Sequence, residues 1–178
     1  MKRPITIIDT FKSIYLPKNK KPIVICDIDL TFIRPANDYI DIYNKFKSSF
    51  SRPTKLHKFV HDAYRSINVG EVKQTDSDGF IQMLERIKHL GGKFVFLTAR
   101  HYLSNNKTIN DLKTAGLQNA EEFIIHYTGN KINKSQYIQR FNLLQGYDHY
   151  VFIDDYPSNL EYALQIYPDM NCYWFKYK

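Results

Sequence analysis

Short apolar runs recur through the chain and alternate with stretches in which apolar residues fall three and four apart. Runs at 23–26, 94–97, 122–125, 150–153 and 172–175 are apolar at most successive positions. A strand that is apolar on both faces belongs in a parallel sheet covered on both sides. Between these runs, 79–90 aligns Phe80, Met83, Leu84 and Ile87 on one helical face and stops at Gly91-Gly92. Residues 105–115 carry Ile109, Leu112 and Ala115, and 135–144 carry Tyr137, Ile138, Phe141 and Leu144. A fourth helix, 157–167, opens on Pro157 in its first turn. The alternation predicts an α/β fold, a doubly wound parallel sheet of five core strands. The apolar positions of residues 1–21 predict a peripheral helix or strand packed on that body.

Residues 36–74 break the alternation. Tyr39, Ile42, Tyr43, Phe46 and Phe50 keep a helical spacing, and Leu56, Phe59, Val60, Ala63 and Ile67 do so again. Ser51-Arg52-Pro53 separates the two, and Thr54 suits an N-cap. The expected organisation is a core of 1–35 and 75–178 with a small helical cap, 36–74, inserted after the first core strand.

Charge sharpens that division. The net charge is +7. Lys45, Lys47, Arg52, Lys55, Lys58 and Arg65 face Asp62 alone in the stretch 42–69. A basic segment favours anionic partners, although such a run is commonly a solvated face. His57 and His61 stand four apart, a zinc-compatible spacing, but no third ligand is evident and a solvated face is favoured. Cys26 and Cys172 sit in apolar runs and read as buried thiols in a reducing cytoplasm. The Ile, Lys, Asn, Tyr and Phe excess resembles AT-rich or viral codon bias, so that cytoplasm would be the host's if the genome is viral. No run approaches the ~20 apolar residues of a membrane span, and no N-terminal apolar stretch with a cleavage site is present.

In an open parallel sheet, ligands bind beyond the carboxyl ends of the strands. After the first apolar run come Asp27, Asp29 and Thr31; at the end of the second come Thr98, Ala99 and Arg100. After the third come His126, Thr128 and Gly129, then Lys131 and Lys134; after the fourth come Asp154 and Asp155. Carboxylates gathered this closely call for a cation and an anion to hold. Asp27 can act as a carboxylate nucleophile. Asp29 can protonate a leaving alkoxide and later deprotonate water, a role that needs its carboxyl protonated when substrate binds. Asp27, Asp154 and the carbonyl of Asp29 can ligate a hard cation such as Mg2+. Lys134 and the Thr98 hydroxyl can bind the phosphoryl oxygens. Singly, each residue also has a bland reading as a turn, cap or strand residue.

This ordered set, DxDxT, a strand ending in Thr, Lys opening a helix, and a strand ending in Asp-Asp, resembles the phosphatase branch of the haloacid dehalogenase (HAD) superfamily. The resemblance covers residues 22–168. It is similar further to the DUF2608-like branch in the 5–11 stretch, in Leu97-Thr98-Ala99-Arg100 and in residues 152–161. It implies a HAD-type Rossmann-like sheet and a Mg2+-dependent phosphohydrolase working through an aspartyl-phosphate. Asp27 matches the nucleophile and Asp29 the acid/base. Thr98, with Ala99, matches the phosphate-binding strand end, Lys134 the phosphate-binding lysine, and Asp154 and Asp155 the acidic metal pair. Thr31, Arg100, Asn159 and Lys131 stand as supporting residues. Phe32 departs from the usual Leu or Val, and Lys134-Ser135 from the usual Lys-Gly, which lets Lys131 compete for the lysine role. The expected partner is a phosphorylated small molecule, bound by a monomer or homodimer, with no membrane. Two alternatives stay open: a phosphatase of nucleotide or nucleic-acid ends, and a catalytically silent HAD-like binding protein. A receiver domain has its acidic pair first, and this order argues against that reading.

Overall fold

The structure, a computed structural model, describes residues 3–36, 44–49, 51–52, 55–56, 58–59 and 72–176. In chain order the strands are β1 (Thr6–Ile8), β2 (Pro22–Cys26), β3 (Ile33–Pro35), β4 (Val72–Gln74), β5 (Lys93–Thr98), β6 (Ile125–Tyr127), β7 (His149–Asp154) and β8 (Asn171–Phe175). The helices packed on the sheet are α1 (Ser77–His89), α2 (Asn105–Thr114), α3 (Lys134–Arg140) and α4 (Pro157–Ile166). Six strands form one sheet, ordered β1-β8-β7-β2-β5-β6, with every neighbouring pair parallel. The fold is α/β and Rossmann-like, as the alternation predicts. Among the described residues no helix is long and apolar enough to cross a membrane.

The strands alternate faces with period two and feed two cores. Val24, Cys26, Phe94, Phe96, Val151 and Ile153 point to one side, where α1 and α2 contribute Phe80, Met83, Ile87 and Leu112. Ile23, Ile25, Val95, Leu97 and Phe152 point to the other, against Ile138 of α3 and Leu160, Ala163 and Leu164 of α4. Phe80 is the hub of the first core, with ring centroids 4.5 Å from Phe32 and 5.2 Å from Phe94. Phe32, the departure noted in the motif, is therefore an aromatic packing residue.

Three elements differ from expectation. The sheet has a sixth strand, because the N-terminal stretch pairs Thr6 with Tyr173 and Ile8 with Phe175. The strand expected at 122–125 runs instead from Ile125 to Tyr127, since Ala120–Glu122 closes a 3-10 turn first. The third helix stops at Arg140 rather than 144. Asn142 turns into the left-handed region at φ 48, and the Leu143 N–H donates back to the Ile138 carbonyl at 3.1 Å.

β3 and β4 pair as an antiparallel ribbon with Pro35 opposite Val72, at the two ends of the stretch between them. The helical hairpin expected at 36–74 falls largely outside the described residues, as do His57 and His61. Within the described part, the rings of Phe46 and Phe59 meet at 5.1 Å.

Candidate active site

β2 lies in the middle of the sheet between β5 and β7, so the residue after Cys26 emerges where both neighbours also end. That residue is Asp27, 6% exposed, with its N–H donating to the Ile153 carbonyl of β7 at 2.9 Å. The chain then turns sharply. Leu30 adopts φ 62, and the Phe32 and Ile33 amides both donate to the Ile28 carbonyl, at 3.0 and 2.9 Å. This tight loop swings Asp27 and Asp29 to different surroundings.

Asp27 faces Lys134, whose Nζ lies 2.6 Å from its Oδ1. The same ammonium is 2.7 Å from Oδ2 of Asp154, a residue with no exposed surface at the end of β7. Lys134 reaches this position because it opens α3 behind the N-cap Asn133, whose side chain accepts from the Gln136 N–H. Asp154 is fixed further by the Tyr156 N–H at 2.8 Å and by Asn159 Nδ2, 3.0 Å from each carboxylate oxygen. One oxygen from each of Asp27, Asp154 and Asp155 falls within 4.8 Å of the others. The Asp29 side chain is not among these three, which leaves only its carbonyl for the metal-binding expectation.

Burial, followed by Asp154, Asp155 and Asp29, pushes the Asp27 carboxyl well above its ordinary value of 3.8, while Lys134 works in the opposite direction. Burial opposes charge on Lys134, but Asp154 and Asp27 outweigh it and hold the ammonium firmly protonated. Burial also raises the Cys26 thiol, directly beneath Asp27.

Asp29 lies apart from this cluster. Its two oxygens accept from Arg100, Oδ2 from Nε at 2.9 Å and Oδ1 from Nη2 at 2.7 Å. Sequence order makes Arg100 a supporting residue, open equally to substrate contact and to a structural role. Its side chain is engaged by Asp29 and by two residues of α2, Asp111 at 2.7 Å and Thr108 at 3.2 Å. Neither Asp111 nor Thr108 stands out in the sequence, where Lys107 and Asp111 read as an ordinary helical pair. Thr98 ends β5 fully buried, and its hydroxyl accepts the Arg100 N–H at 3.1 Å. Thr31 is also fully buried. Lys131 is exposed and, among the described residues, makes no ion pair with the site's carboxylates.

A cleft of about 310 Å³ opens over this edge. Asp27, Asp29, Ala99, Lys134, Asp154 and Asn159 contribute to its walls. The arrangement offers a buried carboxylate at the central strand end, a second carboxylate on its own counter-ion, a buried ammonium and a hard oxygen cluster.

The family model described as HAD superfamily, subfamily IIIB (acid phosphatase), matches residues 4–156. The match carries the superfamily and the phosphatase branch, and does not extend to the DUF2608-like branch. Among solved structures, the class C acid phosphatase from Bacillus anthracis is similar, with 20% sequence identity and a TM-score of 0.49. The alignment covers 84% of this chain and 61% of that one, so this chain spans less than two thirds of that protein's length. No curated relative matches.

Proposed function

Because the chain belongs to subfamily IIIB of the HAD superfamily, the acid phosphatase subfamily, we propose that it is a Mg2+-dependent phosphomonoesterase that works through an aspartyl-phosphate on Asp27. One observation carries this reading: a buried carboxylate at the central strand end, 2.6 Å from a buried ammonium, with two further carboxylates within 4.8 Å. Asp27, Asp154 and Asp155 supply hard oxygen donors, which fit Mg2+ or a similar cation. Three acids beside one ammonium also leave the cluster net negative. When bound, such a cation offsets the repulsion between the Asp27 carboxylate and an anionic phosphoryl group.

In the first step a carboxylate oxygen of Asp27 attacks phosphorus as the bond to the leaving oxygen breaks. Asp29 delivers a proton to that oxygen. In the second step water attacks phosphorus, Asp29 takes a proton from it, and the bond to Asp27 breaks to release phosphate. Thr98 and Lys134 are assigned to the phosphoryl oxygens. Lys134 is preferred to Lys131 because it already bridges Asp27 and Asp154. Ala99 and Arg100, flanking the Thr98 strand end, and Thr31, Asp155 and Asn159 complete the site. The 36–74 segment is assigned as the cap, and the substrate as a phosphorylated small molecule bound by a monomer or homodimer.

A generic aryl phosphate with Mg2+ tests the reading. Turnover is expected, with beryllium fluoride trapped on the wild type and both lost in Asp27→Asn. Purified protein that neither turns over nor traps the mimic would refute it. A second reading, phosphatase action on nucleotide or nucleic-acid ends, is favoured by the exposure of Lys45, Lys47, Arg52, Lys55 and Lys58 on the inserted segment. Activity on a phosphorylated oligonucleotide that falls steeply with salt, while small-substrate activity does not, would select it.

A further inference from the structure

We infer that Arg100 is a positioning residue for proton transfer: anchored by α2, it fixes the carboxyl plane of Asp29. The inference rests on the phosphatase reading and adds to it a residue and a helix. A guanidinium presents five N–H groups in a rigid fork, and here four of them are engaged. One edge takes both oxygens of Asp29, at 2.9 and 2.7 Å. Nη1 on the other side donates to Asp111 at 2.7 Å and to Thr108 at 3.2 Å.

The anchors are themselves held. Thr108 donates its hydroxyl hydrogen to the Ser104 carbonyl at 2.9 Å, and Lys107 binds Asp111 at 2.8 Å. The Arg100 backbone is pinned by its own N–H to Thr98 and by the Gly129 N–H donating to its carbonyl at 3.1 Å. The Arg100 side chain is 12% exposed, and its hydrogen bonds go to Asp29, Asp111 and Thr108, so it acts on substrate through Asp29 rather than by contact. Asp29 does line the cleft. A carboxylate has about four lone-pair sites. Arg100 takes one on each oxygen and leaves the others for the proton that Asp29 moves. The pair therefore fixes orientation without blocking transfer. Sequence neighbours on the tight 27–33 loop cannot do this, because an Asp side chain turns about two bonds unless something outside the loop holds it.

The test uses two substrates and a mutant cycle. An aryl phosphate leaves readily and needs little proton assistance, whereas an alkyl phosphate such as glycerol phosphate requires it. Arg100→Lys keeps the charge and removes the fork. It is expected to lower kcat/KM, which reads the leaving-group step alone, by about 10²-fold on the alkyl phosphate, the order of loss from a misplaced group, and to change kcat/KM on the aryl phosphate little. Asp29→Asn should reproduce that split, while kcat falls on both substrates in either variant because Asp29 also serves the shared hydrolysis of the aspartyl-phosphate. Combining Arg100→Lys with Asp29→Asn should cost no more than Asp29→Asn alone, because the two act as one unit.

Equal losses of kcat/KM on the two substrates, or losses that multiply in the double variant, overturn the inference and leave the phosphatase reading standing. A wild type that hydrolyses neither substrate overturns both. Where Arg100→Lys melts early or does not fold, Asp111→Asn carries the test: the same alkyl-selective loss, smaller in size, is expected, and an unselective loss overturns the inference.

Discussion

Replacing Asp27 by Asn should remove catalysis and, in the absence of divalent cation, raise the melting temperature. Asp27, Asp154 and Asp155 bring oxygens within 4.8 Å of one another against one ammonium. At that distance, and at an effective dielectric constant near 20, each repulsive pair costs about 3 kcal/mol. Asp27→Asn removes the pairs that involve Asp27 and leaves Lys134 its bond to Asp154 at 2.7 Å. On the same scale the lost attraction to Lys134 at 2.6 Å is worth about 6 kcal/mol, so the charge pairs nearly cancel and the gain comes chiefly from no longer burying the Asp27 charge. A net stabilisation of about 1–2 kcal/mol follows, within the range seen when buried charges are replaced. For a chain of this length that is about 2–8 °C in Tm.

The cation reverses the order. Mg2+ at a hundred times its Kd would stabilise the wild type by about 2.7 kcal/mol, while the variant, lacking a ligand, gains much less. The pH dependence has a fixed sign. Burial raises the Asp27 carboxyl above 3.8, so folding favours its protonated form. Its contribution is complete below the unfolded value and is lost as pH rises through the folded one. Wild-type Tm in EDTA should therefore fall between acid and neutral pH through this group, and the Asp27→Asn curve should lack that component. Differential scanning calorimetry of both proteins, in EDTA and in Mg2+ across pH, measures each quantity. A variant that melts below wild type in EDTA at neutral pH, or that keeps the full Mg2+ stabilisation, would refute the reasoning.

Lys134→Met leaves Asp27 and Asp154 buried without their shared cation and should destabilise the apo protein by about 3–5 kcal/mol, read by urea unfolding, with loss of turnover. Phe80→Ala empties the hub between Phe32 and Phe94 and should cost about 3–5 kcal/mol without altering Mg2+ affinity per folded molecule, measured by the same unfolding curves and by titration calorimetry. Burial pushes the Cys172 thiol up to about 12 and raises that of Cys26 as well. Both should resist iodoacetamide at pH 8 in the folded protein and react on denaturation, as mass spectrometry would record.

The buried strands were legible because residues such as Val24, Ile25, Phe96 and Phe152 are apolar on both faces, a pattern that a parallel sheet imposes. β1 was less so. Three residues with only Ile8 buried carry no such pattern, and their pairing with β8 depends on a partner more than 160 positions away. The shifted β6 follows from the 3-10 turn ahead of it, which continuous apolar residues conceal. Strand-end logic located the acids, Thr98 and the lysine opening α3, because in this sheet order chain position dictates which edge a residue reaches. It could not separate Lys134 from Lys131, since three positions decide between a buried N1 residue and an exposed turn. It also left Arg100 between a substrate contact and a structural role, because Asp111 and Thr108, which hold the guanidinium, have no mark of their own in the sequence.

Two carboxylates only two residues apart are thus given separate counter-ions from separate elements. The turn at Leu30, with φ 62, makes this possible by sending the chain back on itself between the Asp27 backbone and β3. Asp27 meets an ammonium carried by α3 and, in the proposed reading, needs its oxygens for a cation and for phosphorus. Asp29 meets a guanidinium backed by α2, and its planar fork fixes an orientation, whereas the ammonium of Lys134 acts as a point charge. An ammonium at Asp29 would neutralise without orienting, and a guanidinium at Asp27 would take two oxygens that the nucleophile needs. Each cation therefore suits the job assigned to its partner, and exchanging them, Lys for Arg100 and Arg for Lys134, should damage proton transfer and nucleophilic attack separately.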